Sequence, residues 1–397
     1  MEFRRLIDDA YGAFDHPAVA PLSHHDAGAW VMELYHGPTL AFKDVALQLL
    51  GQLFEFYLKR RKRAITIIGA TSGDTGSAAI EATAGRAYMK SIILHPKGRV
   101  SDVQRRQMTT VAEDNIHNIA IEGSFDDCQA LVKAMFNDSA FRERHNLAAI
   151  NSINWCRIMA QIVYYVTASL ALGGPWRRVA FSVPSGNFGD VYAGYVAARM
   201  GLPIDRLIVA TNQNDILARF FETGVYSAGK VVPSLSPSMD IQVASNFERL
   251  LFELVSRRDE RLRELMAGFS EERRFEVEAD QLGLAREWFS AYRVSEEETL
   301  AMMAKTLEAT GELVDPHTAV GLVAAGAARG ETDAPLVTLA TAHPAKFPEA
   351  VFKATGRHPA LPPHLSSLMK KPERFTTLPN DLTAVQSHIH QLAEPTS

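Results

Sequence analysis

The feature that most constrains this chain is a repeated alternation. Short β-rich runs pass through Gly/Ser/Thr loops into helical stretches. Ala64 to Gly69 (AITIIG) is apolar, β-branched and closed by glycine, which predicts a buried strand. A Gly/Ser/Thr loop leads from it to an Ala-rich helix, Ser77 to Thr83. Ser91 to Leu94 predicts the next strand, Ser101 to Thr110 a helix with Ser101 as N-cap, Ile116 to Ile121 a strand and Phe125 to Phe136 a helix. Parallel neighbours need a helical crossover, so this order predicts an α/β fold with largely parallel sheets.

A long helix over Ile153 to Leu172 stops at Gly173-Gly174-Pro175, and the alternation then restarts. Val179 to Val183 is a strand, Phe188 to Met200 a helix, Leu207 to Thr211 a strand and Pro335 to Ala340 (PLVTLA) a last strand. Glu248 to Glu312 is charged with helical periodicity and predicts peripheral helices without a clear strand. The expected divisions are an N-terminal helical segment over 1–60, a smaller α/β domain over 61–173, a large α/β domain over 174–360 and a loosely held tail over 361–397. A length of 397 residues suits two packed domains.

Composition removes several classes of function. A net charge of -5 and a pI near 6.2 disfavour nucleic-acid and anionic-membrane partners. The basic run Lys59 to Arg63 reads as a helix end where cations oppose the macrodipole. Two cysteines, Cys128 and Cys156, without CxxC, point to a reducing compartment and hence a cytoplasmic setting. The start, MEFRRLIDDAYGAF, has no signal-peptide core, and no apolar stretch reaches membrane-spanning length. HExxH, paired metal-ligand spacings, GxGxxG and Walker patterns are absent, which leaves no predicted metal and argues against a nucleotide-binding module.

Four segments carry chemistry: HGPTLAFKD (His36 to Asp44), ATSGDTG (Ala70 to Gly76), PSGNFGD (Pro184 to Asp190) and TAHPAKF (Thr341 to Phe347). Singly, each has a plain structural explanation. Lys43 opens a helix after a Gly-Pro turn, where the macrodipole favours the neutral, nucleophilic amine, though most lysines so placed are simply exposed. Ser185 to Gly189 lies between strand and helix, and its two glycines allow successive N–H groups to point inward as a phosphate cradle. Without a ligand it is a tight βα loop. Thr71 to Gly76 repeats that form and could hold a second anion such as a carboxylate, or be a turn capped by Asp74 or Thr75. Thr341 is a loop hydroxyl after a strand, and His343 is more often a structural hydrogen-bonder. Three such loops at strand carboxyl ends should converge on one crevice.

Together these segments resemble the threonine synthase family, in the branch that includes bacterial and fungal enzymes. Further stretches resemble it too: QMTT (Gln107 to Thr110), FDDCQALVKAMF (Phe125 to Phe136), NSINW (Asn151 to Trp155), SPSMDIQVASNFERL (Ser236 to Leu250) and DPHTAVG (Asp315 to Gly321). The likeness runs in order from about residue 5 to about residue 355. Members of that branch usually carry several dozen residues before the position of Met1, so the usual N-terminal segment is expected to be missing here, whether through a misassigned start, a cut sequence or a shortened member.

The resemblance implies two parallel-sheet domains of the fold type II (tryptophan synthase β-like) kind, with pyridoxal 5'-phosphate in the crevice between them. The segment 1–60 would carry the cofactor lysine and pack on the large domain. Lys43 would hold the cofactor as a Schiff base and act as the catalytic base. Gly186, Asn187, Phe188, Gly189 and Asp190 would surround its phosphate, and Thr341 would meet the pyridine nitrogen. Thr71, Ser72, Gly73, Asp74 and Thr75 would form the substrate loop. Arg99, Ser101 and Asn154, with Lys97, are the candidates for the substrate phosphate. The implied reaction turns O-phospho-L-homoserine and water into L-threonine and phosphate, by a monomer or homodimer. The rival on the same scaffold is a phospho-lyase releasing 2-oxobutyrate, ammonia and phosphate.

Overall fold

The computed structural model describes residues 2–26, 28–71 and 73–393, which fall into two compact units. One comprises Met1–Asp15, Gly37–Asn151 and Ala360–Ser397; the other comprises His16–His36 and Ser152–Pro359. The N-terminal 60 residues are therefore divided: the helix Lys43–Arg61 belongs with the smaller sheet, not with the large one.

The first unit is built on a five-stranded sheet, parallel at every pairing, in the order Thr376–Pro379, Ile116–Glu122, Met89–Pro96, Ile65–Ala70, Leu147–Ala148. Its strands are apolar on both faces because helices cover both. Ile92 and Leu94 pack with Ile68, Ile119 and Ile121 against the helix Phe125–Asn137, through Cys128, Leu131 and Met135. Ile93, between them, turns to the other face and meets Ile80 and Met108 of the helices Asp74–Thr83 and Asp102–Thr109.

The described part of the segment expected as a loose tail, residues 361–393, is integral to this unit. Thr376–Pro379 adds an edge strand beside Ile116–Glu122, and the helix Leu382–Ala393 buries Val385 and Ile389 in the same core as Ile68 and Leu94. Four strand residues with half-exposed side chains are too short a run to announce themselves, and only the neighbouring strand makes them β.

The second unit holds a six-stranded sheet in the order Leu22–Asp26, Ala29–Glu33, Leu336–Ala340, Val179–Pro184, Ile204–Thr211, Phe289–Arg293. Only the first pair is antiparallel. Val179–Pro184 is buried along its whole length. The helix Pro316–Ala327 packs on one face through Val320 and Ala324, while Tyr165 of the helix Trp155–Ala171 meets Phe181 on the other, with ring centroids 4.8 Å apart. The stretch Glu248 to Glu312 is mostly helical but does contain strands. Arg274–Glu276 pairs with Val225–Ser227, and Phe289–Arg293 forms the edge of the large sheet. An edge strand is covered on one flank only, so FSAYR keeps polar residues and lacks an apolar run.

Leu336–Ala340 and Val179–Pro184 lie side by side and parallel, with Thr338 opposite Ser182. The chain leaves Val179–Pro184 for Ile204–Thr211 on the side away from Leu336–Ala340. The loops after these two strands thus flank a switch point, where parallel sheets form their ligand crevices.

Histidines link the C-terminal helix to its unit. His145 Nε2 and His390 Nδ1 share a hydrogen bond of 2.7 Å, and burial with the facing His390 lowers the affinity of His145 for a proton. On the strand Ile116–Glu122, burial and then Lys90, Arg374 and His388 push His117 down to about 4, against a weaker pull from Asp114. A base depressed when folded binds fewer protons than when unfolded, so its contribution is present above about pH 6.5 and lost as pH falls toward 4. For a half-buried ring this amounts to on the order of 1–2 kcal/mol. Urea unfolding at pH 7 and pH 5 should show that loss, and His117→Phe should flatten it.

Candidate active site

The turn before Lys43 is built by Asp44. Its carboxylate accepts from the Thr39 backbone N–H and from Thr39 Oγ1, both at 2.8 Å, and its side chain is fully buried. That bond network holds the first turn of the helix Lys43–Arg61 so that Lys43, 8% exposed, faces inward. Lys43 Nζ reaches Asp74 Oδ2 at 3.2 Å and lies 4.8 Å from the Phe42 ring centroid. The cofactor-lysine candidate and the substrate-loop candidate therefore meet directly within one unit.

Asp74 opens its own helix at the carboxyl end of the strand Ile65–Ala70. Thr71, almost wholly buried, shapes the loop between them: its Oγ1 accepts from the N–H groups of Gly73 and Gly76, each at 2.9 Å. Gly73 sits at φ +145°, and a Cβ there would come within 2.5 Å of Gln104. Gln104 takes that space to donate its amide to Asp74 Oδ1 at 2.8 Å, while its Oε1 accepts from Ser101 Oγ at 2.9 Å. Gln107, three residues on, donates to the Thr39 carbonyl at 3.1 Å. These two buried glutamines join the lysine turn, the substrate loop and Ser101. Gln104 was not singled out from the sequence; its signal is a pair of amides on the inner face of an otherwise charged helix, DVQRRQMT. Thr75 is partly buried at the second position of the Asp74 helix, and Ser72 lies outside the described residues.

In the second unit, Ser185 to Gly189 follows the strand Val179–Pro184 and opens the helix Gly189–Arg199. Phe188 has φ +63°, a conformation costly for a bulky residue. Packing over-determines it, with Phe188 fully buried and its ring 5.3 Å from Phe247 and 5.6 Å from Phe289. Asp190 is held at the helix start by Ser185 Oγ (2.6 Å) and the Val191 N–H (2.9 Å). The Asn187 carbonyl accepts from the backbone and side-chain amides of Asn246, at 3.1 and 3.2 Å. A Cβ on Gly186 would stand 2.9 Å from Ile241 Cγ1 and 3.1 Å from Met239 Cα. The result is four successive N–H groups, of Gly186, Asn187, Phe188 and Gly189, that find no acceptor among the described residues. Aligned donors at a helix N-terminus are a phosphate cradle, and the residues present fit a phosphate-bearing cofactor.

Thr341 follows the adjacent strand Leu336–Ala340 and is 5% exposed, and its hydroxyl has no hydrogen-bond partner among the described residues. A buried hydroxyl in that state suits a ring nitrogen. His343 is structural, its Nδ1 accepting from the Ala345 N–H at 3.1 Å to cap the turn Pro344–Lys346. Lys346, in the same segment, is completely buried, which its sequence position did not reveal.

The substrate-phosphate candidates are not assembled within one unit. Arg99 is exposed, Lys97 pairs on the surface with Glu122 at 3.0 Å, and Ser101 caps its helix through the Gln104 N–H. Asn154 belongs to the second unit, where its Oδ1 accepts from the Cys156 N–H at 2.9 Å as the N-cap of the helix Trp155–Ala171. Both cysteines are free, and burial pushes the Cys128 thiol up to about 11.

Because Thr71 serves two buried amides at once, Thr71→Val should destabilise the protein by about 1–3 kcal/mol, the cost of stranding such donors. Thr71→Ser keeps the oxygen and should recover most of it. Denaturant titrations of the three proteins test this; equal losses in both variants would show that the methyl group, not the hydroxyl, holds the loop.

Comparison with known proteins fits this geometry. Residues 15–265 match the model of the pyridoxal-phosphate dependent enzymes, and residues 318–389 match threonine synthase, C-terminal. A threonine synthase of Pseudomonas aeruginosa is 55% identical over 391 residues, covering 98% of this chain and 83% of that protein. The structure of pyridoxal-phosphate-bound threonine synthase from Brucella melitensis superposes with a TM-score of 0.96 at 52% identity, covering 99% of this chain and 84% of that one. Yeast threonine synthase superposes at 0.93 with 39% identity, over 98% and 84%. The fold is thus that of the fold type II enzymes that use pyridoxal phosphate, and the chain belongs to the threonine synthase family.

Proposed function

We propose that this chain converts O-phospho-L-homoserine and water into L-threonine and phosphate. The observation that carries this reading is that one chain holds both matches, the pyridoxal-phosphate-dependent body and the threonine synthase C-terminal segment that includes Thr341. Pyridoxal phosphate supplies an electron sink for charge developing next to the amino-bearing carbon.

The chain's own residues do the rest. Gly186 to Gly189 bind the cofactor phosphate through backbone N–H groups, and Asp190 keeps their helix start in place. Thr341 orients the ring through its hydroxyl. Lys43 carries the cofactor and moves protons at the substrate's α and β carbons. Asp74, 3.2 Å from Lys43 Nζ, positions that amine, and Gln104 positions Asp74. In the overall change the bond from the γ carbon to phosphate oxygen breaks. The β carbon loses one hydrogen and takes the hydroxyl of water, the γ carbon gains one hydrogen, and the remaining proton leaves with the phosphate.

Thr71 to Thr75 receive the substrate's carboxylate, and Arg99, Ser101 and Asn154 are proposed for its phosphate. We place the enzyme in the cytoplasm, as a monomer or homodimer without nucleic-acid partners. No helix among the described residues is long and apolar enough to cross a membrane.

Turnover of O-phospho-L-homoserine with product identification tests the reading. L-threonine and phosphate in equal amounts are expected, and 2-oxobutyrate with ammonia would replace this assignment with the phospho-lyase. Lys43→Ala should abolish turnover and the cofactor's visible band while leaving the fold intact by circular dichroism. Thr341→Val should retain the cofactor, shift its spectrum and lower the rate by about 10- to 100-fold, as expected for a buried ring nitrogen left unpaired. A stability loss with unchanged spectrum and products would remove Thr341 from the site.

A further inference from the structure

The helix Asp102–Thr109 is held from two sides, and the proposed chemistry uses only one of them. Its inner side carries Gln104, which joins Asp74 to Ser101, and Gln107, which reaches the turn before Lys43. Its outer side carries Arg105, Arg106 and Thr109, and there the carboxylate of Glu373 meets all three. Glu373 Oε1 accepts from Arg105 Nε and from Thr109 Oγ1, each at 2.8 Å. Glu373 Oε2 accepts from Arg105 Nη2 at 3.3 Å, and Arg106 Nη2 stands 3.5 Å from it. Paired N–H bonds from one guanidinium fix direction as well as distance. The hydrogen bond from Arg105 is the main reason that the Glu373 carboxyl is held below the usual carboxylate range, so it is charged at neutral pH.

Glu373 stands on a strap of irregular chain that leads into the edge strand Thr376–Pro379. The strap follows the last turn of the same helix. The Lys371 carbonyl accepts from Arg106 Nη1 at 3.1 Å, and the Arg374 N–H donates to the Thr109 carbonyl at 2.6 Å. The Arg374 guanidinium reaches the carbonyls of Ala112 and Glu113, just past the helix, at 2.7 and 3.3 Å. A helix end leaves its last carbonyls without partners of its own, and the strap supplies them. Neighbouring residues on a helix point about 100° apart, so anchoring Arg105 and Thr109 outside sets the angle at which Gln104 and Gln107 point inward. All these residues lie in one unit. The strap lies within the threonine synthase C-terminal match, residues 318–389, and beyond the pyridoxal-phosphate-dependent match, which ends at residue 265.

We propose that Glu373 is a positioning residue of the active site: by clamping Arg105 and Thr109 it sets the rotation of the helix Asp102–Thr109, and through Gln104 it keeps Asp74 directed at Lys43 Nζ. This role rests on those proposed above for Lys43, Asp74 and Gln104. It gives the C-terminal segment a task in the reaction beyond completing the sheet and core of its unit.

The test is a double-mutant cycle between Glu373 and Gln104, read in two ways. One is kcat on O-phospho-L-homoserine per bound cofactor. The other needs no turnover: the rate at which cofactor-free protein develops the visible band when pyridoxal 5'-phosphate is added, which reports how well Lys43 Nζ is placed. Glu373→Ala should lower both by roughly 10- to 100-fold, the effect of misplacing a reacting group by about 1 Å. Glu373→Gln keeps an acceptor for Arg105 and Thr109 without the charge, and should lose less, about threefold. In a Gln104→Ala background, neither change at Glu373 should lower either rate further by more than about twofold, because the connection is already cut. A glutamate that only stabilises the fold would lower the melting temperature, leave both rates per bound cofactor unchanged and add its effect to that of Gln104→Ala. Unchanged rates in folded Glu373→Ala, or full additivity in the cycle, overturn the proposal. So does a fall in kcat with unaltered band formation, which would place the influence of Glu373 on the substrate and not on Lys43. Should Glu373→Ala fail to fold, Glu373→Gln and Thr109→Val, which removes the hydroxyl contact alone, carry the same cycle. Gln104→Ala without effect on either rate, or a wild-type protein that develops no band, would instead overturn the roles of Gln104, Asp74 and Lys43 on which this one depends.

Discussion

The structure depends on what happens where a parallel strand hands its chain to a crossover helix. The helix begins with N–H groups that have no backbone acceptor, and the strand's end places them at the rim of the sheet. This chain uses that position repeatedly. After Ile65–Ala70, Thr71 satisfies two such amides internally, so the loop is held by its own side chain. After Val179–Pro184 no side chain does so, and four N–H groups remain for something else. The same local geometry yields a self-supported loop in one unit and an anion site in the other. The first loop uses the Thr71 hydroxyl for its own amides, whereas in the second the Ser185 hydroxyl bonds Asp190 instead.

Around these loops, packing does the positioning. Phe188 accepts a left-handed backbone because Phe221, Phe247 and Phe289 pack around it, with Phe220 behind Phe247. Gly186 and Gly73 are small because Ile241 and Gln104 occupy the space a side chain would need. Lys43 is buried because Asp44, fully buried itself, holds the turn before it. In each case a polar or strained element is fixed by neighbours distant in sequence, which fits a site that must hold its geometry before its ligand arrives.

Much of the fold could be read directly. The runs AITIIG and SIIL announce central parallel strands, because a strand covered on both faces must be apolar at consecutive positions. The motifs around Lys43, Ser185 and Thr341 were legible because they join strand ends to helix starts with residue types few loops need. Phe289–Arg293 and Thr376–Pro379 were not legible. As edge strands they bury one flank, carry polar residues, and owe their conformation to a partner strand distant in the chain. Arg157 and Lys346 were equally silent, since a cation in sequence is read as solvated until packing shows it enclosed.

The sequence by itself determined the alternation of strands and helices, the family, and which short segments bear chemistry, because periodicity and loop composition are local properties. Tertiary structure alone decided that Lys43 meets Asp74, that Gln104 ties Asp74 to Ser101, and that the C-terminal strand and helix complete the first unit's sheet and core. It also decided that Arg157 is enclosed, with its Nε left without a hydrogen-bond partner. Burial and hydrogen-bond satisfaction depend on what the rest of the chain brings to a point in space, and no local pattern encodes that.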